Sequence, residues 1–267
     1  MKTKEKKYNF NFISGCVITG IVILFVLVGI FFTPYDPNQM NATLKNAEPS
    51  LLHPFGNDNF GRDIFSRVME GAGTTFLIAI VTVAIGAVFG TILGAVTGYF
   101  GGWVDEVLMR INDGITSFPS ILLALILISI FGTGTVNIVL ALGIIFIPSF
   151  ARVIRSEFIV LKEMDFVKNA KLMGAGEFRI MFIHILPNTK TILISSIMIA
   201  FNNAVLAEAS MSYLGLGVKP PDASLGRMLS EAQAYFLNAP WYAVAPGLMI
   251  ILTILGVSLM SGGMVNE

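Results

Sequence analysis

Residues 114–151 read GITSFPSILLALILISIFGTGTVNIVLALGIIFIPSFA, 38 residues without a charge. A helix crossing the hydrocarbon of a bilayer needs about 20 apolar residues. The run is too long for one such helix and slightly short for two with a loop. FGTGTVN, at 131–137, is a turn-type cluster in its middle. Two helices fit if the first starts early, within VDEVLMRINDGITSFPS at 104–120, and the second ends late, near Arg155. Whether the run holds one span or two sets the side of the membrane on which everything after it lies.

The rest of the chain supplies the test. The 267 residues are 55% hydrophobic and 13% charged, against about 25% charged in soluble domains. This is the composition of an integral membrane protein. The first apolar run, FISGCVITGIVILFVLVGIFF at 12–32, follows the basic start MKTKEKK. At 21 residues, with FFTPYDP after it rather than a small-residue cleavage site, it exceeds the roughly 7–15 residue core of a signal peptide and is expected to be a retained helix. Further spans are expected at 74–98, 191–207 and 242–261. If 114–151 holds two spans, segments 1–11, 99–113 and 152–190 share one side and carry 4, 1 and 7 Lys and Arg, 12 of 17. Loops 33–73 and 208–241 carry 3 and 2. That is the positive-inside distribution, and the single-span alternative would put the most basic loop outside.

The expectation is therefore an all-α integral membrane protein with six transmembrane helices and cytoplasmic N- and C-termini. Its organisation runs as a cytoplasmic N-terminus (1–11), a first span (12–32), an extracytoplasmic loop (33–73), five further helices (74–261) with a cytoplasmic loop at 152–190, and a cytoplasmic tail (262–267). Zero net charge implies no general attraction to nucleic acid. The lone cysteine, Cys16, excludes an internal disulfide and suggests no cysteine metal site. Gly86, Gly90, Gly94 and Gly98 recur every four residues and make one helix face where another backbone can approach closely, as a packing seam or a pathway lining.

The 152–190 loop holds 11 of the 34 charged residues. Apolar residues from Phe158 to Met173 recur at roughly helical spacing, Gly174 and Gly176 interrupt them, and EFRIMFIHI resumes the pattern up to Pro187. A short helix, a glycine turn and a second helix entering the fifth span are expected. Exposed apolar residues on so short a helix require a partner surface.

KNAKLMGAGEFRIMFIHILPN, 168–188, resembles the cytoplasmic motif of ABC-importer permeases, E-A-A, three residues, Gly, nine residues, I-x-L-P. Ala170, Gly174, Leu186 and Pro187 match, whereas Lys168, Asn169 and His184 depart from it. HPFGNDNFGRDIFSRVMEGAGTTF (53–76) and EASMSYLGLGVKPPDASLGRML (208–229) resemble two further signatures of the dipeptide/oligopeptide/nickel branch. The chain stops at SGGMVNE, short of that branch's usual acidic ending, so no role is carried there.

The resemblance implies a MetI-like permease core. It also implies pairing with a second, related permease, two docked ATPase subunits and an extracytoplasmic binding protein that delivers the solute. Lipid surrounds such a subunit, and no cofactor is implied. The chain carries no G-x-x-x-x-G-K-[ST], so it is not expected to hydrolyse ATP itself. Lys168, Asn169, Ala170, Met173, Gly174 and Ala175 would dock in an ATPase groove. Peptides, nickel and metal–chelator complexes all fit as solutes, and the short terminal regions lean to the metal branch.

Other residues are open to two readings. Arg62, Asp63 and Arg67 make either a solvated helix-start cluster or a gate or binding-protein contact, and Asp58 is a candidate cap for that helix. Glu208, at the end of the fifth span, is either functional or a structural hydrogen-bonding group. Glu106 and Arg110 are spaced for an i,i+4 pair. His53 and His184 are expected on opposite sides as local hydrogen-bonding residues, with no metal site. A protease or lipid transferase would need paired catalytic groups at bilayer depth, and the spans hold no H-E-x-x-H or G-x-S-x-G. A secondary transporter driven by an ion gradient would show charged or polar groups in mid-span and would leave the docking loop unexplained.

Overall fold

The computed structural model describes residues 10–265. The basic segment 1–9, on which the sidedness of the N-terminus rests, and tail residues 266–267 lie outside the described residues. The described chain is helical: α1 (Phe10–Phe31), α2 (Ile64–Phe100), α3 (Gly102–Thr116), α4 (Ser120–Phe131), α5 (Thr135–Leu161), α6 (Asp165–Leu172), a single turn α7 (Glu177–Arg179), α8 (Lys190–Tyr213), α9 (Leu225–Ala232) and α10 (Pro240–Val265).

Five helical stretches are long and apolar enough to span a bilayer, and a sixth if the bent pair α3 and α4 counts as one broken span. The break has a local cause. Pro119 has no N–H to donate and disfavours helical φ/ψ at Phe118, and the two helices meet at 90°. At 12 residues, α4 is only about 18 Å long, short of the hydrocarbon thickness of about 30 Å. In contrast, α2 starts at Ile64, ahead of the expected position 74, and its 37 residues make a rod of about 55 Å. Its first turns, with Arg67 and Glu70, lie on the helix rather than in a loop.

The chain forms two compact units, one of residues 1–79, 132–138 and 201–267, the other of 80–131 and 139–200. In the first, α1 and α10 pack through glycines. A Cβ at Gly15 would lie 2.6 Å from the Met260 backbone nitrogen, and one at Gly256 would lie 2.6 Å from Thr19 Oγ1. Close approach of this kind supplies the van der Waals attraction that holds helices together where no hydrophobic effect acts between them and lipid. Asn202 adds a hydrogen bond between helices, its Nδ2 donating to Ser258 Oγ at 2.9 Å.

In the second unit the four-residue glycine face of α2 receives α5. Cβ atoms at Gly86, Gly90 and Gly98 would sit 2.6, 2.5 and 2.7 Å from Cβ of Phe146, Phe150 and Phe158. The face is a packing seam. The α3 carboxylates reach the same partner helix: Asp105 holds Arg155 with both oxygens, and Asp113 Oδ1 accepts from Arg152 at 2.8 Å. The expected Glu106–Arg110 pair is not among the described ion pairs.

Candidate functional site

Two polar regions, one in each unit, carry the residues singled out by sequence. In the second unit, α6 lays Val167 and Ala170 onto a buried cluster of Ala95, Tyr99, Ile154, Phe158, Ile180, Met181 and Ile185. The spacing of three residues puts both on one side of a two-turn helix. Lys168, Asn169, Leu172 and Met173 then face outward. Leu172 and Met173 are 86% and 88% exposed, and Phe178 and Ile183 are exposed beside them. Lys171 places its ammonium 5.3 Å from the centre of the Tyr99 ring, which ties the helix to α2 from its flank.

The helix ends in a Schellman turn. Gly174 N–H donates to Lys171 O and Ala175 N–H to Ala170 O, each at 3.0 Å, with Gly174 at φ +79°. That region favours glycine, because a Cβ there crowds the backbone. No atom lies within 4 Å of the place a Gly174 Cβ would take, so the demand is conformational rather than steric. The turn closes on Ala170 and on Ala175, which packs against the cluster. With Val167, these two alanines seat the helix. Of the six residues expected to dock, Lys168, Asn169, Met173 and Gly174 form the surface and Ala170 and Ala175 its support.

Beyond Gly176 the chain enters α7, widens into a π-helix at Ile180–Ile185 and tightens into a 3₁₀ turn at Leu186–Thr189 before α8. Pro187 explains the change of pitch. It lacks an N–H, and its ring would strike the carbonyl four residues back in a regular helix. Leu186 N–H instead reaches Met181 O, one residue further than an α-helix allows.

In the first unit the cluster at 58–67 is buried, which corrects the solvated reading. Arg67 is fully buried, and Arg62 and Asp63 are nearly so. Arg62 pairs through Nε with Asp58 and through Nη2 with Glu231 at 2.9 Å. Arg67 lies 3.8 Å from Asp58 and 3.7 Å from Glu231 and donates to Pro37 O and Asn38 Oδ1, each at 3.2 Å. Glu231 also accepts from Arg227 Nε at 3.0 Å and Tyr242 Oη at 2.8 Å. Burial by itself would raise the Glu231 carboxyl. The Tyr242 bond, the charges of Arg67 and Arg62 and the bond from Arg227 outweigh it and hold the group below its usual range. For Arg62, burial works to lower the guanidinium, but Asp58 and Glu231 leave it above its usual value.

The cap of α2 is Asp63 rather than Asp58: Asp63 Oδ2 accepts from Ser66 N–H at 2.8 Å. Asp58 caps the preceding turn, its Oδ1 accepting from Phe60 N–H at 2.8 Å and Arg62 N–H at 2.9 Å. His53 is a local hydrogen-bonding residue, with Nδ1 2.8 Å from Asp63 Oδ1. Glu208 is wholly buried and accepts from Ser212 Oγ at 2.6 Å, while the same Ser212 oxygen accepts from Val218 N–H at 3.2 Å. It serves as an anchor for the turn that follows α8. The sequence reading missed Glu231, Arg227 and Tyr242. Their distance along the chain from Arg62 left no local signal.

The family profile described as the binding-protein-dependent transport system inner membrane component matches residues 90–264. The chain belongs to this family. Among its relatives, the glutathione transport system permease protein GsiD of Pectobacterium atrosepticum is 38% identical over 253 residues, 93% of this chain and 84% of that protein. The GsiD protein of Escherichia coli is 41% identical over 247 residues, 91% and 82% of the two chains. The dipeptide transport system permease protein DppC of Alkalihalophilus pseudofirmus is 37% identical over 261 residues, 98% and 86%. In fold the chain resembles a chain of an inward-facing MetNI methionine ABC transporter, with a TM-score of 0.59, 20% identity and coverage of 74% of this chain and 94% of that one. The protein is thus a multi-pass inner-membrane permease subunit of an ABC importer with a MetI-like core. As an ABC permease it is a non-catalytic membrane component that works with ATPase subunits, another permease and a binding protein.

Proposed function

We propose that this permease passes a peptide-class solute, that α6 is its contact with an ATPase subunit, and that both chain ends and loop 152–190 face the cytoplasm. The docking reading rests on one observation. A helix seated by Val167 and Ala170 leaves Leu172 and Met173 almost fully exposed beside a glycine turn. Apolar side chains presented to water in this way fit a partner groove. With two ATPase subunits engaged, one on this chain and one on a second, related permease, closure of the ATPase pair would push α6 and tilt the spans joined to it, alternating access. Sidedness follows from the positive-inside count.

The peptide class is favoured over nickel or a metal chelate by the relatives, which are permeases for glutathione and dipeptides. The Arg62, Asp63, Arg67 and Glu231 network then holds loop 33–63 as a rigid platform outside the membrane for the solute-binding protein, and Glu208 steadies the same end of α8.

The test is a mild-detergent pull-down of the tagged chain from its own membranes, with mass spectrometry of what co-purifies. Recovery of a second permease and P-loop ATPases is expected. Recovery of the chain alone, under conditions that keep a known importer whole, would overturn the docking reading. Uptake of labelled dipeptide and glutathione, competed by each other and not by nickel, tests the solute class.

A further inference from the structure

Helix α8 carries a polar group where a lipid-facing span cannot keep one. Asn203 is exposed, 10 residues before the end of the helix at Tyr213 and 13 after its start at Lys190. At 1.5 Å per residue that is about 15 and about 20 Å from the two ends of the helix. Its neighbour Asn202 turns inward to Ser258. The Asn203 side chain has no hydrogen-bond partner among the described residues. Ser210 stands seven residues on, within about 20° of the same face; it is half-buried and donates to Leu206 O at 2.8 Å, and Leu206 is exposed between the two.

Other exposed faces differ. On α2 the exposed side chains from Leu77 to Ile92 are all apolar, among them Ile80, Val88 and Phe89. On α1 those from Ile13 to Phe31 are apolar as well. An amide in hydrocarbon loses its water without gaining a partner, and polar groups within spans face a bundle interior or a water-filled path. The α2 face suits lipid, whereas on α8 an unpartnered carboxamide stands beside exposed Leu206.

The geometry points to Asn203 as a lining residue of an aqueous solute pathway, where its carboxamide hydrogen-bonds the amide groups of a peptide-class solute in passage. A carboxamide offers one acceptor and two donors, which is the complement of a peptide unit. The inference rests on the importer reading and on the peptide class, and the test separates its failure from theirs.

With Cys16→Ser as background, Asn203→Cys and Val88→Cys are introduced singly into the assembled transporter in membrane vesicles. Each is exposed to methanethiosulfonate-ethyltrimethylammonium, a cationic thiol reagent that requires water. The expected result is labelling at position 203, none at 88, and loss of the 203 signal when binding protein loaded with dipeptide is added with ATP. No labelling at 203, or labelling that loaded binding protein leaves unchanged, overturns the inference. Co-purification of the ATPases with each variant, and dipeptide uptake by the Cys16→Ser background, show independently whether the importer and peptide readings stand. Should Asn203→Cys fail to assemble, Asn203→Gln and Asn203→Leu replace it. Uptake is retained with Gln and lost with Leu if the amide acts on solute, and equal uptake by the two refutes it.

Discussion

Replacing Leu172 and Met173 together by Ser should separate docking from folding. Both side chains are almost wholly exposed, and exposed substitutions move stability by only about 0.5 kcal/mol. The seat of α6 is untouched, because Val167, Ala170 and Ala175 provide it. If an ATPase groove covers both side chains, each loses about 2 kcal/mol of apolar transfer, about 4 kcal/mol for the pair. That corresponds to about a thousandfold weaker association. The assay is titration of purified ATPase subunit onto the detergent-solubilised permease pair, with ATP-driven uptake in proteoliposomes as the functional readout. The thermal midpoint of the permease should stay within a few degrees of the parent, while association and uptake fall together. Unchanged association with a correctly folded variant would refute the assignment of this face. A folding defect would refute the claim that Val167, Ala170 and Ala175 seat the helix without Leu172 and Met173.

Gly174→Ala should destabilise the end of α6 by about 1–2 kcal/mol through its left-handed backbone, with Gly174→Asn close to the parent, read by proteolysis at 172–178. Arg67→Met should lower stability by about 3 kcal/mol, at the low end for breaking a buried pair because Arg62 and Arg227 still cover Glu231. Its thermal midpoint in detergent is the measure. Glu231 is held below its usual range, so its contribution is complete above about pH 4.5 and fades as pH falls through the depressed value. Glu231→Gln should remove that acid-side slope from the pH profile of the thermal midpoint, and an unchanged slope would assign it to other carboxylates. Gly90→Leu should cost at least about 3 kcal/mol, since its Cβ alone would press on Phe150 Cβ, whereas Gly20→Ala, with nothing within 4 Å of its Cβ, should be neutral or stabilising.

Much of this architecture is legible in the sequence because a bilayer imposes local rules. Apolar length marks a span, whereas the sequence reading runs the third span through Pro119, where the structure breaks it before α4. Gly86 to Gly98 mark the face that meets α5, and Gly174 marks a helix end. Each of these depends on neighbours a few residues away. The family signatures likewise name loop 152–190 before any side chain is placed. Local rules fail at the 58–67 cluster. Four charges in ten residues read as solvated, and only the fold carries Glu231 and Tyr242 to Arg62 and Arg67, turning exposed charge into a buried, neutralised network. They fail again on α6, where periodicity finds the helix and only packing against Tyr99 and Phe158 decides that Ala170 points inward and Met173 outward. Adjacent Asn202 and Asn203 are the same residue in sequence, but one is spent on Ser258 and the other is left facing out. Chain composition determined that this protein lives in a membrane and where it turns. Tertiary structure decided which polar groups are satisfied within the chain, because that depends on partners brought together from distant positions, 169 residues apart for Arg62 and Glu231 and 56 for Asn202 and Ser258.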